Sequence, residues 1–358
     1  MFGNVYNGKR VLVTGHTGFK GSWLCAWLQQ LGAEVCGAAL LPDQTPDHFS
    51  LLDLNYRSEL CDICCYEKFL KIMQDFQPEI VFHLAAQPLV RQSYADPRNT
   101  FAANVLGSVN VLESCRYTES VRAVVMVTTD KCYSNPETER PFREEDPLGG
   151  HDPYSASKGA AEIAAASYRL SFFAPEGRIA LATARAGNVI GGGDWAKDRL
   201  LPDLVRSAAS GETSHIRFPG AVRPWQHVLE ALSGYLLLGQ KLYVSGQEFA
   251  SAWNFGPVEK ECYTVEDVIH IARKYWEKIS FVCESPEEVN LHEASHLVLD
   301  CSKAEKVLQW HPVWNTEHSV GQTVCWYHDY YEKGKVTTFS MLEEYVRDAR
   351  KKGVVWVE

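Results

Sequence analysis

A short apolar run, Arg10-Val11-Leu12-Val13-Thr14, leads directly into Gly15-His16-Thr17-Gly18-Phe19-Lys20-Gly21. Glycines at every third position after a buried strand and before a helix leave few folds open. A strand that turns sharply into a helix needs positive φ or close backbone approach, and glycine permits both. The helix then opens with unpaired N–H groups, which suit a pyrophosphate. The spacing alone is a weak signal, because glycines also serve plain packing. The strand before it and the helix after it strengthen the reading.

The pattern continues along the chain. Glu34–Leu40, a third strand ahead of Asp62, Glu79–Leu84 and Arg122–Thr128 read as further strands, and Ala180–Arg185 as a sixth. Helices are expected near Gly18–Leu31, Tyr66–Phe76 and Asn99–Thr118, with another starting at Tyr154. Continuous apolar strands alternating with helices indicate an α/β fold, a doubly wound parallel sheet of the Rossmann type. We expect a dinucleotide-binding domain over roughly 1–185. A smaller mixed α/β substrate lobe is expected over 186–358, with the chain free to cross between them. The polar stretch Ser134–Asp152, with Pro136, Pro141, Pro147, Gly149 and Gly150, reads as a lid over a site.

Composition narrows the function. The 358 residues carry a formal net charge of -10, which argues against nucleic-acid binding. No apolar run approaches the ~20 residues of a membrane helix. The first strand begins within ten residues of Met1 and leaves no room for a signal peptide, so a cytoplasmic protein is expected. The eleven cysteines are expected to be reduced thiols. Cys61 and Cys64 form a CxxC, but no second CxxC completes a zinc knuckle. His292-Glu293-Ala294-Ser295-His296 matches a zinc-hydrolase pattern. That chemistry requires a helix. The run Leu297-Val298-Leu299-Asp300 that follows reads as extended, so no metal is expected.

Tyr154 and Lys158 lie one helical turn apart and share a helix face. An ammonium beside a tyrosine stabilises the phenolate, which can take a hydroxyl proton while hydride leaves the same carbon. Thr129, Asp130 and Lys131 follow the fifth strand, at the sheet end that faces the ligand crevice. They offer a sugar-hydroxyl contact, a proton donor and a basic group. Arg185, Asn188, Arg199, Arg223 and His227 gather near and beyond the sixth strand, and arginine suits a diphosphate. Trp225, between Arg223 and His227, could pack a nucleobase. The acid expected at the end of the second strand is absent: Ala38-Ala39-Leu40-Leu41 stands there. NAD is therefore the expected cofactor with NADP left open, since His16 and Lys20 could attract a 2′-phosphate.

These motifs resemble the extended short-chain dehydrogenase/reductases, and within them the CDP-glucose branch of the nucleotide-sugar 4,6-dehydratases. The most specific pieces are Thr14–Trp23, Ala85–Arg91, Asp130–Tyr133, Arg185–Trp195 and Arg223–His227. The resemblance covers nearly the whole chain. It implies oxidation of a sugar at carbon 4, loss of water across carbons 5 and 6, and return of hydride to carbon 6. Tyr154 would take the 4-hydroxyl proton, and Asp130 would protonate the departing 6-hydroxyl. The dTDP-glucose branch carries glutamate after that aspartate as the carbon-5 base, whereas this chain has Lys131. Lys131 is assigned that proton if it is neutral, or a cationic role at the enolate if it is not.

The resemblance further implies a cofactor site of Gly15, Thr17, Gly18, Phe19, Lys20, Gly21, Asp62, Ile63, Ala85, Ala86, Gln87, Asn104, Thr128, Tyr154 and Lys158. It implies a substrate site of Gln87, Arg91, Asn188, Arg199, Arg223, His227 and His296, and a homodimer formed through the Asn99 and Tyr154 helices. A sugar epimerase or reductase of the same fold is the nearest alternative, and a non-catalytic NAD(P) sensor a distant one.

Overall fold

The computed structural model describes residues 1–135, 140–257, 263–283 and 297–358. Its centre is a seven-stranded parallel sheet. The strands are β1 (Arg10–Thr14), β2 (Glu34–Ala39), β3 (Arg57–Leu60), β4 (Ile80–His83), β5 (Ala123–Val127), β6 (Ala180–Ala186) and β7 (Ala252–Phe255). In space they run β3-β2-β1-β4-β5-β6-β7. β4, β5 and β6 are buried along their whole length, as expected of parallel strands covered on both faces. The order reverses between β1 and β4, and ligands of such sheets bind at that switch point, beyond the carboxyl ends of the strands.

The helices that matter for the site start at those carboxyl ends. α1 (Phe19–Gln30) follows β1, and α2 (Tyr66–Phe76) follows β3. α3 runs as Pro97–Phe101, a π-helical Ala102–Gly107, and Ser108–Arg116. The expected Asn99–Thr118 helix is thus present with a widened turn inside it, a feature common near functional sites. α4 (Pro153–Tyr168) starts at Asp152, whose side chain accepts from Ser155 N at 2.9 Å, and carries Pro153 in its first turn. It packs beside α3.

The second half of the chain both builds a smaller lobe and returns to the sheet. α5 (Leu200–Ser210), α6 (Val228–Ser245) and α7 (Val265–Tyr275) are joined by short strand pairs such as Ser214–Ile216 with Phe281–Cys283. α6 lies against β5 and β6, and β7 completes the sheet. α8 (Thr316–Lys333) and α9 (Thr338–Lys352) bring the aromatic core against α1, where Trp27, Tyr345 and Trp356 pack ring to ring.

The stretch read as a lid is fastened down where it is described. Phe142 is buried and stacks on Tyr133. Its backbone pairs with Val298 and Asp300 at 2.8 Å each, so Leu297–Asp300 is extended, as its sequence suggests. Glu144 accepts from Asn254 N through its side chain and from Arg185 through its carbonyl. The His292–His296 motif lies outside the described residues.

Candidate active site

The cradle is built on close approach. At Gly15, with φ +73°, a Cβ would stand 2.8 Å from Ala85 N, and at Gly21 it would stand 2.1 Å from Gly15 O. The side chain of Thr14 ties the ends of β1 and β4 together, accepting from Leu84 N and Ala85 N at 3.1 Å. Thr17 reaches across to Leu40 O at 2.9 Å. Gly18 N-caps α1 with no side chain in the way, leaving the first amides of the helix facing the cleft. This arrangement fits a dinucleotide pyrophosphate.

Across the cleft, Thr129 holds Asp130: its hydroxyl donates to Asp130 Oδ1 at 2.9 Å. Asp130 is 2% exposed, and its Oδ2 is buried with no hydrogen-bond partner among the described residues. Burial pushes the carboxyl up, against the pull of Lys131, Thr129, Arg223 and Lys20. A Cβ on Gly187 would lie 2.8 Å from Oδ2, so this glycine leaves room for the carboxyl.

Tyr154 and Lys158 come from the first turns of α4. Burial pushes Tyr154 up to about 12, while the hydroxyl of Thr129 and the charge of Arg199 pull the other way. Lys158 is pushed down to about 8 by burial, opposed by Glu162 and Cys132. Beneath them Glu162 forms a buried pair with Arg185, at 3.0 Å to Nε and 2.8 Å to Nη2, and also accepts from Thr128 and Thr183. Burial would raise Glu162, but Arg185 and the two hydroxyls outweigh it and hold the carboxyl below the ordinary range. A buried acid, a tyrosine with a nearby lysine, and a threonine that contacts the acid and the tyrosine could move the protons of an alcohol oxidation and of the loss of a neighbouring hydroxyl, given a dinucleotide in the cradle to accept the hydride.

The family model for GDP-mannose 4,6 dehydratase matches residues 12–323. This chain belongs to that family. It is 48% identical over 331 residues to the CDP-glucose 4,6-dehydratase of Salmonella typhimurium, covering 90% of this chain and 92% of that one. Among solved structures, DesIV, a dTDP-glucose 4,6-dehydratase from Streptomyces venezuelae with NAD and TYD bound, superposes with TM-score 0.75 at 22% identity. That match covers 89% of this chain and 97% of DesIV. The UDP-glucose 4-epimerase of Thermotoga maritima with UDP-glucose gives TM-score 0.76 at 22% identity, over 91% and 99%. At such identities these likenesses speak for the fold.

Within this dehydratase scaffold the sequence-predicted residues separate into three groups. Asp130 has Thr129, Arg223 and Lys20 as electrostatic neighbours, Tyr154 has Thr129, Asp130 and Arg199, and Lys20 links to Lys158 and Arg199. Lys131 follows Asp130 and is half-buried. Several others prove to be supports. Asn104, 1% exposed, clasps the backbone of Gln87 and donates to Ser157 Oγ. Gln87 spends its amide on Thr100 and Leu89 N, Thr128 its hydroxyl on Glu162, and Asp62 a carboxylate oxygen on Cys64 N. Ile63 is buried against Gly107 of the π-helical turn.

Four expectations are corrected. His227 is 0% exposed, wedged between Trp23 and Trp314, and burial pushes it down to about 3, so it presents no atom to a substrate. Trp225 is buried in the core and cannot stack on a base. Arg185 is consumed by Glu162 and binds no phosphate. His16 is 1% exposed, bonded to Ser58 and pushed down to about 4 by burial; a neutral ring there attracts no 2′-phosphate.

Arg91 pairs with Asp198 at 2.9 Å, and Arg199 with Asp194 at 2.7 Å. Asn188 is half-buried on the loop before the Val189–Ile190 strand. His296 lies outside the described residues. The sequence reading missed Asp194, although an acid after three glycines and before Arg199 was a usable signal. It also missed Gly187 and Glu162, whose roles arise from contacts that no spacing reveals. Cys61 and Cys64 are free thiols pushed up to about 11 by burial.

Proposed function

We infer that this protein converts CDP-D-glucose to CDP-4-dehydro-6-deoxy-D-glucose and water. The observation that carries the reading is Asp130 beside Tyr154, with the Thr129 hydroxyl reaching both. An epimerase needs the tyrosine pair but no buried acid at carbon 6. The 48% identity to a CDP-glucose 4,6-dehydratase supports the cytidine nucleotide.

NAD, which DesIV binds, supplies a two-electron acceptor that is restored within each turnover. The cradle of Gly15, Gly18 and Gly21 fits its pyrophosphate. The end of β2 carries exposed Leu40 and Leu41 and no carboxylate, so the choice of NAD rests on the relatives. Tyr154 takes the 4-hydroxyl proton, helped by the charge on Lys158. The 4-ketone acidifies carbon 5, and Lys131 either takes that proton or steadies the enolate. Asp130 gives its proton to the leaving 6-hydroxyl; burial pushes its carboxyl up, the direction that suits an acid. Arg199 and Arg223 are the diphosphate ligands, with Arg91 and Asn188 near the cleft mouth.

The active form is a homodimer. Phe101 and Leu106 on α3, Ile163 on α4 and Leu170 in the π-helical Arg169–Phe173 that continues it are 39%, 61%, 60% and 71% exposed. Apolar residues of this size on neighbouring helices suit a second copy of the same helices. The location we propose is the cytoplasm.

A comparison of kcat/KM for CDP-, dTDP-, UDP- and GDP-glucose, each with NAD, tests the substrate. CDP-glucose should be preferred by about 100-fold or more, the scale of a site built around specific polar contacts. Equal turnover of the panel would overturn the nucleobase, and no turnover of any would overturn the reaction.

A further inference from the structure

We propose that Lys20, although it stands on the cofactor cradle, is a substrate ligand that clamps the diphosphate of the nucleotide sugar together with Arg199. The inference rests on the nucleotide-sugar reading above and adds a residue to it.

The first turn of α1 faces two ways. Gly15 and Gly18 border the cradle. Phe19 lies against Gly191, where a Cβ would stand 3.1 Å from its Cζ, and Trp23 Nε1 donates to Gly192 O at 2.8 Å. Lys20 leaves the helix between these anchors. Its charged neighbours are Arg199, Lys158, Asp130 and Asp194, and three of the four lie on the loops after β5 and β6. None stands at the end of β2, where a cofactor 2′-phosphate would lie.

Lys20 has no hydrogen bond or ion pair among the described residues. Asp194 is already given to Arg199 at 2.7 Å. Asp130 already accepts from Thr129. Lys20, Lys158 and Arg199 are three cations against these two carboxylates, in a protein whose net charge is -10. Lys20 and Arg199 are half-buried and open to a ligand. An arriving anion balances the local excess of positive charge. Arginine supplies a planar fork to phosphate and lysine a point charge, so the two complement each other on one diphosphate.

The state of the lysine gives a measurable consequence. Burial, Arg199 and Lys158 push Lys20 down to about 7, with Asp130 and Asp194 opposing. A bound diphosphate favours the ammonium and moves it back up. At pH values above about 7, binding must therefore draw in a proton, and affinity must weaken as pH rises.

Calorimetric titration at mildly alkaline pH, in buffers of different ionisation enthalpy, reads both quantities without turnover. The wild-type protein should take up protons as it binds CDP. Lys20→Met should bind CDP about tenfold more weakly, the scale of one charge-assisted hydrogen bond, with less proton uptake and unchanged NAD affinity. Lys20→Arg should recover affinity without recovering the uptake. Wild-type CDP binding in Lys20→Met overturns the proposal. Loss of NAD affinity instead would assign Lys20 to the cofactor's own diphosphate and overturn it equally. Inorganic pyrophosphate serves as a parallel probe. If wild-type protein ignores CDP yet binds pyrophosphate through Lys20, the nucleotide reading fails while the clamp stands. If Lys20→Met binds pyrophosphate as wild type does, the clamp fails.

Discussion

Thr129 donates its hydroxyl to one oxygen of Asp130 at 2.9 Å and leaves the other, Oδ2, buried and unpaired among the described residues. A buried acceptor without a partner is disfavoured unless something arrives to meet it. The proposed reaction brings the sugar's 6-hydroxyl to this oxygen. Asp130→Asn keeps the shape and removes the acid. It should slow water loss by about 100-fold or more while sparing oxidation at carbon 4, the scale of a lost general acid. Rapid-quench analysis of a single turnover checks this; blocked oxidation with competent elimination would reassign the acid.

Gly187 makes the same point from the other side. Its missing Cβ would meet Asp130 Oδ2 and Pro224 Cγ, each at 2.8 Å. Gly187→Ala should fold, with thermal stability lowered by only about 1–3 kcal/mol from overpacking, and should lose kcat far more than KM. Steady-state kinetics beside a thermal melt separate the two effects.

Burial pushes Tyr154 up to about 12 and Lys158 down to about 8. The charge on Lys158 that favours the phenolate is therefore present below about 8 and is lost above it. kcat/KM should fall as pH rises through about 8. Lys158→Met should be slow at every pH and should lack that fall. Tyr154→Phe should abolish oxidation and keep cofactor binding, as fluorescence titration with NAD would report.

The buried Glu162–Arg185 pair underlies the α4 side of the site. Glu162→Gln strands the Arg185 charge and should destabilise the fold by about 3–5 kcal/mol, whereas removing both partners together should be milder. Because the folded state holds Glu162 below its ordinary range, its contribution is present above the unfolded carboxylate range and is lost as pH falls through the folded value. Denaturant melts at neutral and acid pH test this, and a pH-independent difference would contradict it.

Leu106 and Leu170, exposed on adjoining helices, should lie within the dimer interface. Leu106→Glu with Leu170→Glu should give a monomer by sedimentation, with an intact far-ultraviolet spectrum. An unchanged sedimentation profile would place the interface elsewhere.

The sheet was largely legible because its signals are local. Continuous apolar runs at Val11–Val13 and Ala123–Val127 admit little but buried parallel strands, and the glycines after Thr14 mark the turn. Tyr154 and Lys158 were legible because one helical turn separates them. What the sequence concealed depends on contacts between distant segments. His227 looks like a ligand beside Arg223, yet Trp23 and Trp314 enclose it. Arg185 looks like a phosphate contact until Glu162, a turn beyond Lys158, is seen to claim it. Lys20 reads as part of a cofactor motif, and only the folded chain sets it beside Arg199.

The central claim is an internal, redox-neutral elimination, and one labelling experiment bears on it directly. Purified protein is incubated with NAD and CDP-glucose carrying deuterium at carbon 4, and the product is examined by mass spectrometry and NMR. The account predicts a 4-keto-6-deoxy sugar that has lost one water, retains the label at carbon 6 and leaves no net reduced cofactor. Recovery of a carbon-4 epimer, or of stoichiometric reduced cofactor with the 6-hydroxyl still in place, would contradict it.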